Sequence, residues 1–127
     1  MKKILLCDEH PFIRHAIKTM LEAAFTGVQI EEEVNRNALL RRLAREAFNL
    51  VITDIALPGF NELQLLADIK KIHPLLPLLV LDQRSPLNFA EEVIKAGGDG
   101  YLQKDRGLRE IVCVVRILME GKKYSSA

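Results

Sequence analysis

The chain has 127 residues, 49% hydrophobic and 28% charged, with 18 basic side chains against 17 acidic for a net charge of +1. That composition fits one globular domain of ordinary size and excludes two-domain and disordered readings. Near-neutrality also excludes nucleic-acid or anionic-membrane binding by this stretch alone, because phosphate recognition needs clustered cations in excess, and no run reaches the roughly 18 apolar residues of a membrane span.

Lys2 and Lys3 precede an apolar run of only Ile4 to Cys7, too short for a secretory core, so a cytoplasmic location is expected. The runs Ile4 to Cys7, Leu50 to Ile55 and Leu78 to Leu81 are nearly unbroken, as in strands covered on both faces. Val28 to Val34 and Tyr101 to Leu102 are weaker, and the first carries Glu31, Glu32 and Glu33, so both read as edge strands. Helical patterns alternate with them: Phe12 to Phe25, Asn37 to Ala47, Glu62 to Ile72, Leu87 to Ala96 and Leu108 to Glu120. Asn61 is the expected cap of the third helix and Gly97-Gly98 the expected stop of the fourth. The expected fold is therefore a doubly wound α/β domain, a five-stranded parallel sheet of order 2-1-3-4-5 with helices on both faces. It spans residues 1–121, and residues 122–127 read as the start of a linker. Cys7 and Cys113 sit in apolar segments and are expected to be buried, inert thiols.

Ligand sites of such sheets lie beyond the carboxyl ends of the strands, where the order reverses. The first strand ends in Asp8-Glu9, the third in Asp54, the fourth in Asp82 and the fifth in Lys104. Any one acid there can simply cap a helix, but four carboxylates around one lysine repel strongly and call for a cation or a raised pKa. Hard oxygen ligands in that number suit Mg2+. His10 and His15 are five apart, with His10 before Pro11 and outside the helix, which argues against histidine metal ligation. Arg41, Arg42 and Arg45 read as a solvated basic helix face. No glycine-rich phosphate loop is present, which disfavours nucleotide binding.

The segments Leu5-Leu6-Cys7-Asp8-Glu9-His10-Pro11-Phe12-Ile13-Arg14, Val51-Ile52-Thr53-Asp54-Ile55-Ala56-Leu57-Pro58-Gly59 and Gly97-Gly98-Asp99-Gly100-Tyr101-Leu102-Gln103-Lys104-Asp105 together resemble the receiver domain of two-component response regulators, a CheY-like, flavodoxin-like fold. The likeness covers essentially the whole chain. The His-Pro after the acidic pair and the Lys-Asp ending resemble the NarL/FixJ type, whose helix-turn-helix output domain is absent from these residues.

The resemblance implies a signalling domain and no enzyme activity beyond self-phosphorylation and dephosphorylation at Asp54, the phosphoacceptor. Asp8, Glu9, Asp54 and the backbone carbonyl of Ala56 would hold Mg2+. Lys104 would contact the phosphoryl group, and Tyr101 would be the ring that changes orientation. The implied partners are a sensor histidine kinase or a small-molecule phosphodonor, with DNA reached only through a separate output domain and no membrane contact. A homodimer is expected through the last helix: Leu108, Ile111, Val112, Val115 and Leu118 form a core stripe, leaving Val114 and Ile117 as an unpartnered face.

Asp82 stands where such receivers usually carry Ser or Thr, replacing a hydroxyl donor with an acceptor-only anion that could also draw Lys104 away from the acceptor. Glu62 and Gly98 replace a usual glycine and alanine, and both look tolerable. Asp82 keeps a second reading open, an atypical receiver that is never phosphorylated and serves as a dimerisation or protein-interaction module. A haloacid-dehalogenase-like phosphatase would need a second Asp two residues after Asp54, where this chain has Ala56, and a flavin site would not take so acidic a crevice.

Overall fold

The computed structural model describes residues 2–54, 62–82, 89–104 and 108–125. In chain order these form β1 (Lys2–Cys7), α1 (Pro11–Ala24), β2 (Val28–Glu33), α2 (Arg36–Arg45), β3 (Leu50–Asp54), α3 (Glu62–Ile72), β4 (Leu78–Asp82), α4 (Phe89–Lys95), β5 (Gly100–Gln103), a 3-10 turn at Leu108–Glu110 running into α5 (Ile111–Met119), and β6 (Tyr124–Ser125). Local chemistry explains the boundaries. Pro11 opens α1, where its missing N–H costs nothing. Asn35 Oδ1 accepts from Ala38 N at 2.8 Å and caps α2. Gly97, at φ +114, ends α4 in a conformation that other residues rarely adopt. The expected cap Asn61, and Leu87 at the expected start of α4, lie outside the described residues.

The strands pair in the order 2-1-3-4-5, all parallel, and a short β6 adds to the β5 edge. That last strand corrects the linker reading of Tyr124 and Ser125, which pair with Gly100 and Tyr101 while Tyr124 Oη donates to Glu110 Oε2 at 2.5 Å. Two core layers account for the unbroken apolar runs. Leu5, Cys7, Val51, Leu78, Val80 and Tyr101 face α2, α3 and α4, whereas Ile4, Leu6, Leu50, Ile52, Leu79 and Leu81 face α1 and α5. Successive residues thus enter opposite layers, and neither face of the central strands meets water.

The edge strand β2 keeps its glutamates by dividing them between faces. Glu32 bonds Arg14 Nε at 2.9 Å and Lys18 Nζ at 3.2 Å, while Glu31 and Glu33 both pair with Arg42. Arg42 is therefore tied to carboxylates rather than forming, with Arg41 and Arg45, a uniformly solvated basic face.

Three further expectations change in α5. Val114 is fully buried within the chain's own core beside Ile111, Val115 and Leu118, so it is not an open dimer surface; Val112 and Ile117 are only partly buried, and Cys113 is exposed. Packing of α5 on α1 as well as on β4 and β5 sets the buried stripe at 111, 114, 115 and 118, the i, i+3, i+4, i+7 pattern.

Candidate functional site

Strand register assembles the site. Cys7 pairs with Thr53, so Asp8 follows β1 alongside Asp54 at the end of β3, and Asp54 in turn lies beside Leu81 of β4. This is the reversal point between β1 and β3, and a cleft there is lined by Asp8, Glu9, Asn35, Arg36, Thr53 and Asp54.

Lys104 reaches in from beyond β5. Its Nζ lies 2.8 Å from Asp8 Oδ2 and 3.2 Å from Asp54 Oδ2, and it is 5% exposed against 1% for Asp8. One ammonium shared by two carboxylates offsets the repulsion expected of the bare acids. Asp8 Oδ1 accepts from the backbone N–H of His10 at 2.8 Å, an Asx turn that sets the chain's entry into α1. The Arg14 guanidinium donates to the Asp8 carbonyl at 2.7 Å. Glu9 is exposed at the rim. Of the residues expected here, Ala56 lies outside the described residues.

His10, which the spacing argument set aside as a metal ligand, stands beside both acids. Its Nδ1 sits 2.9 Å from Asp8 Oδ1, 3.6 Å from Asp54 Oδ2 and 3.2 Å from Lys104 Nζ. The available signal was its place two residues after Asp8, where an Asx turn returns the chain toward the carboxylate.

Asp82 ends β4, as expected. Lys104 pairs with Asp8 and Asp54, whereas Asp82, 1% exposed, accepts from Tyr101 Oη at 2.5 Å. Register explains the contact: Tyr101 is opposite Val80 and Gln103 opposite Asp82, so Tyr101 and Asp82 are diagonal neighbours on one face of adjacent strands, within reach of an aromatic side chain. Tyr101 is itself only 2% exposed.

Cys7, beneath the site, is held as a thiol: burial first, then the carboxylates of Asp8, Glu33 and Asp54, push its pKa up to about 12.

The donor set fits a divalent cation. Asp8 Oδ2 is buried and, among the described residues, no hydrogen-bond donor is aligned with it; its contact there is the ionic one with Lys104, so lone-pair capacity remains beside Asp54.

A parallel sheet wound in this order, with acids from two neighbouring strands sharing a lysine at the reversal point, is an α/β domain of the CheY-like class. Residues 4–116 match the family model of the response regulator receiver domain, and the chain belongs to that family. It is 29% identical to BvgA of Bordetella pertussis over 123 residues, covering 96% of this chain and 58% of BvgA. With the response regulator GacA of Pseudomonas syringae pv. syringae it shares 28% identity over 127 residues, 99% of this chain and 59% of GacA. The chain thus spans under two thirds of the length of these relatives. Among solved structures, a LuxR family DNA-binding response regulator from Silicibacter pomeroyi superposes with a TM-score of 0.86 at 23% identity, covering 100% of this chain and 98% of that one.

Proposed function

We propose that this domain is the phosphoacceptor of a two-component response regulator, taking its phosphoryl group on Asp54. One observation carries the reading: the Asp54 carboxylate stands on a cleft with Lys104 Nζ at 3.2 Å and the Asp8 carboxylate joined to the same lysine. An oxygen of Asp54 would attack the donor phosphorus, the bond to the donor's leaving group would break, and an acyl phosphate would form. Lys104, already paired with the acceptor, would pass to the new phosphoryl oxygens. Asp8, Glu9, Asp54 and the Ala56 carbonyl would hold Mg2+, which when bound supplies charge neutralisation for the transferring group.

The donor is a sensor histidine kinase or a small phosphodonor. Output is transcriptional through a DNA-binding domain beyond this segment, as suggested by relatives longer than this chain and by the DNA-binding regulator from Silicibacter pomeroyi. Among the described residues no helix is long and apolar enough to cross a membrane, in keeping with a cytoplasmic regulator. Self-association through α5 would draw on Ile117 and not on the enclosed Val114.

The switching half of the mechanism differs from a hydroxyl-based one. Asp82 cannot donate to a phosphoryl group and is already engaged by Tyr101. Phosphorylation of Asp54 is therefore expected to be short-lived, and Asp82→Thr is expected to lengthen it. Intact mass after incubation with acetyl phosphate and Mg2+ tests the reading, comparing the parent chain with Asp54→Asn. A chain that gains no phosphoryl group would instead be the non-phosphorylated interaction module.

A further inference from the structure

We propose that His10 is a third protein ligand of the cation site, so that the site prefers a late first-row divalent ion such as Ni2+ or Zn2+ to Mg2+. The inference rests on the reading of Asp8 and Asp54 as cation ligands, and adds a nitrogen to an all-oxygen set. Asp8, His10 and Asp54 each offer one ligand atom, and those atoms all lie within 4.8 Å of one another. The imidazole Nδ1 is 2.9 Å from Asp8 Oδ1 and 3.6 Å from Asp54 Oδ2. Ligands bound to one first-row ion at about 2.0–2.2 Å stand about 3–3.5 Å apart, close to the two imidazole distances, and the three ligand atoms all fall within 4.8 Å.

Two features hold the imidazole there. The backbone N–H of His10 is fixed to Asp8 Oδ1 at 2.8 Å, and Pro11 directly after it opens α1. The ring faces the site by the same nitrogen that meets Lys104 Nζ at 3.2 Å. That nitrogen cannot both donate to Asp8 and accept from the ammonium. A divalent ion taking over the ammonium's role would satisfy the carboxylate oxygens and the imidazole lone pair together. Carboxylate oxygens alone suit Mg2+, whereas one imidazole shifts preference toward Ni2+, Cu2+ and Zn2+.

Calorimetric titration of the whole chain with Mg2+, Ni2+ and Zn2+ separately tests this, for the parent, His10→Ala and His15→Ala. The parent should bind Ni2+ and Zn2+ at least about tenfold tighter than Mg2+. His10→Ala should reduce the Ni2+ to Mg2+ affinity ratio by about tenfold or more, while His15→Ala, altering an exposed residue, should leave it unchanged. An unchanged ratio in His10→Ala overturns the proposal. Should that variant fail to fold, imidazole nitrogen spectra of the parent decide: Zn2+ below one equivalent must perturb the His10 ring before those of His15 and His73, and the reverse order overturns it. Phosphoryl gain with Mg2+ is scored in parallel by mass. Retained phosphorylation with an unchanged ion ratio in His10→Ala sinks only the His10 assignment, whereas a parent chain that neither gains a phosphoryl group nor binds a divalent ion sinks the acceptor reading beneath it.

Discussion

Replacing Tyr101 by Phe removes one oxygen and leaves the ring, which isolates the contact between β5 and β4. The hydroxyl donates to Asp82 Oδ2 at 2.5 Å, and both residues are buried. A hydrogen bond to a charged acceptor contributes about 1.5–3 kcal/mol, and Tyr101→Phe removes that donor from a buried carboxylate. We expect Tyr101→Phe to lower stability by about 2–3 kcal/mol, or about 6–12 °C in Tm for a domain of this size. Urea unfolding followed by circular dichroism at pH 7 measures it. Asp82→Asn and the double variant close a thermodynamic cycle, with a coupling energy above about 1 kcal/mol expected between the two sites. A cost under about 0.5 kcal/mol for Tyr101→Phe, with no coupling, would refute the reasoning and leave the contact without net stabilising effect.

Mg2+ at millimolar concentration should raise Tm by mass action, and Lys104→Met should increase the affinity by removing the competing ammonium; equal titrations of the two chains would count against a shared cation position. Burial raises the Glu32 carboxyl, but hydrogen bonds and charge from Lys18 and Arg14 outweigh it and hold the pKa below the ordinary 4.5. The associated stabilisation is therefore complete above the unfolded value and lost as pH falls through the folded one. Glu32→Gln should cost up to about 1 kcal/mol at pH 7 and converge with the parent as pH falls through the lowered folded-state pKa in urea titrations, and a pH-independent difference would contradict the pairing. A Cβ at Gly98 would lie 2.6 Å from Val93 Cγ1, so Gly98→Ala should destabilise by about 1–3 kcal/mol and be relieved by Val93→Ala, which chemical denaturation of both variants checks.

The apolar runs, taken with the connection rules of parallel sheets, led to the strand order and to placing Asp8, Asp54 and Lys104 together, because parallel strands buried on both faces are unbroken in apolarity and their ends are polar. The side-chain contacts were harder to read. Tyr101 and Asp82 meet only because the β4–β5 register puts them diagonally on one face, and register is not encoded in either segment separately. His10 was dismissed on helical spacing, although a backbone turn and not a helix face brings it to Asp8. The stripe of α5 was misjudged at Val114 because every residue from Ile111 to Val115 is apolar or a small thiol, so periodicity cannot orient that turn; contact with α1 and the sheet does. β6 was invisible in a tail of small polar residues, since a two-residue strand is defined by its partner β5.

The central claim is that Asp54 accepts a phosphoryl group. Intact mass spectrometry of the chain after acetyl phosphate and Mg2+ tests it most directly, with Asp54→Asn and Asp82→Thr alongside. The account predicts addition of one phosphoryl group to the parent, none to Asp54→Asn, and a longer-lived adduct on Asp82→Thr. A parent chain that stays unmodified, or an Asp54→Asn chain that gains the same mass, would contradict it.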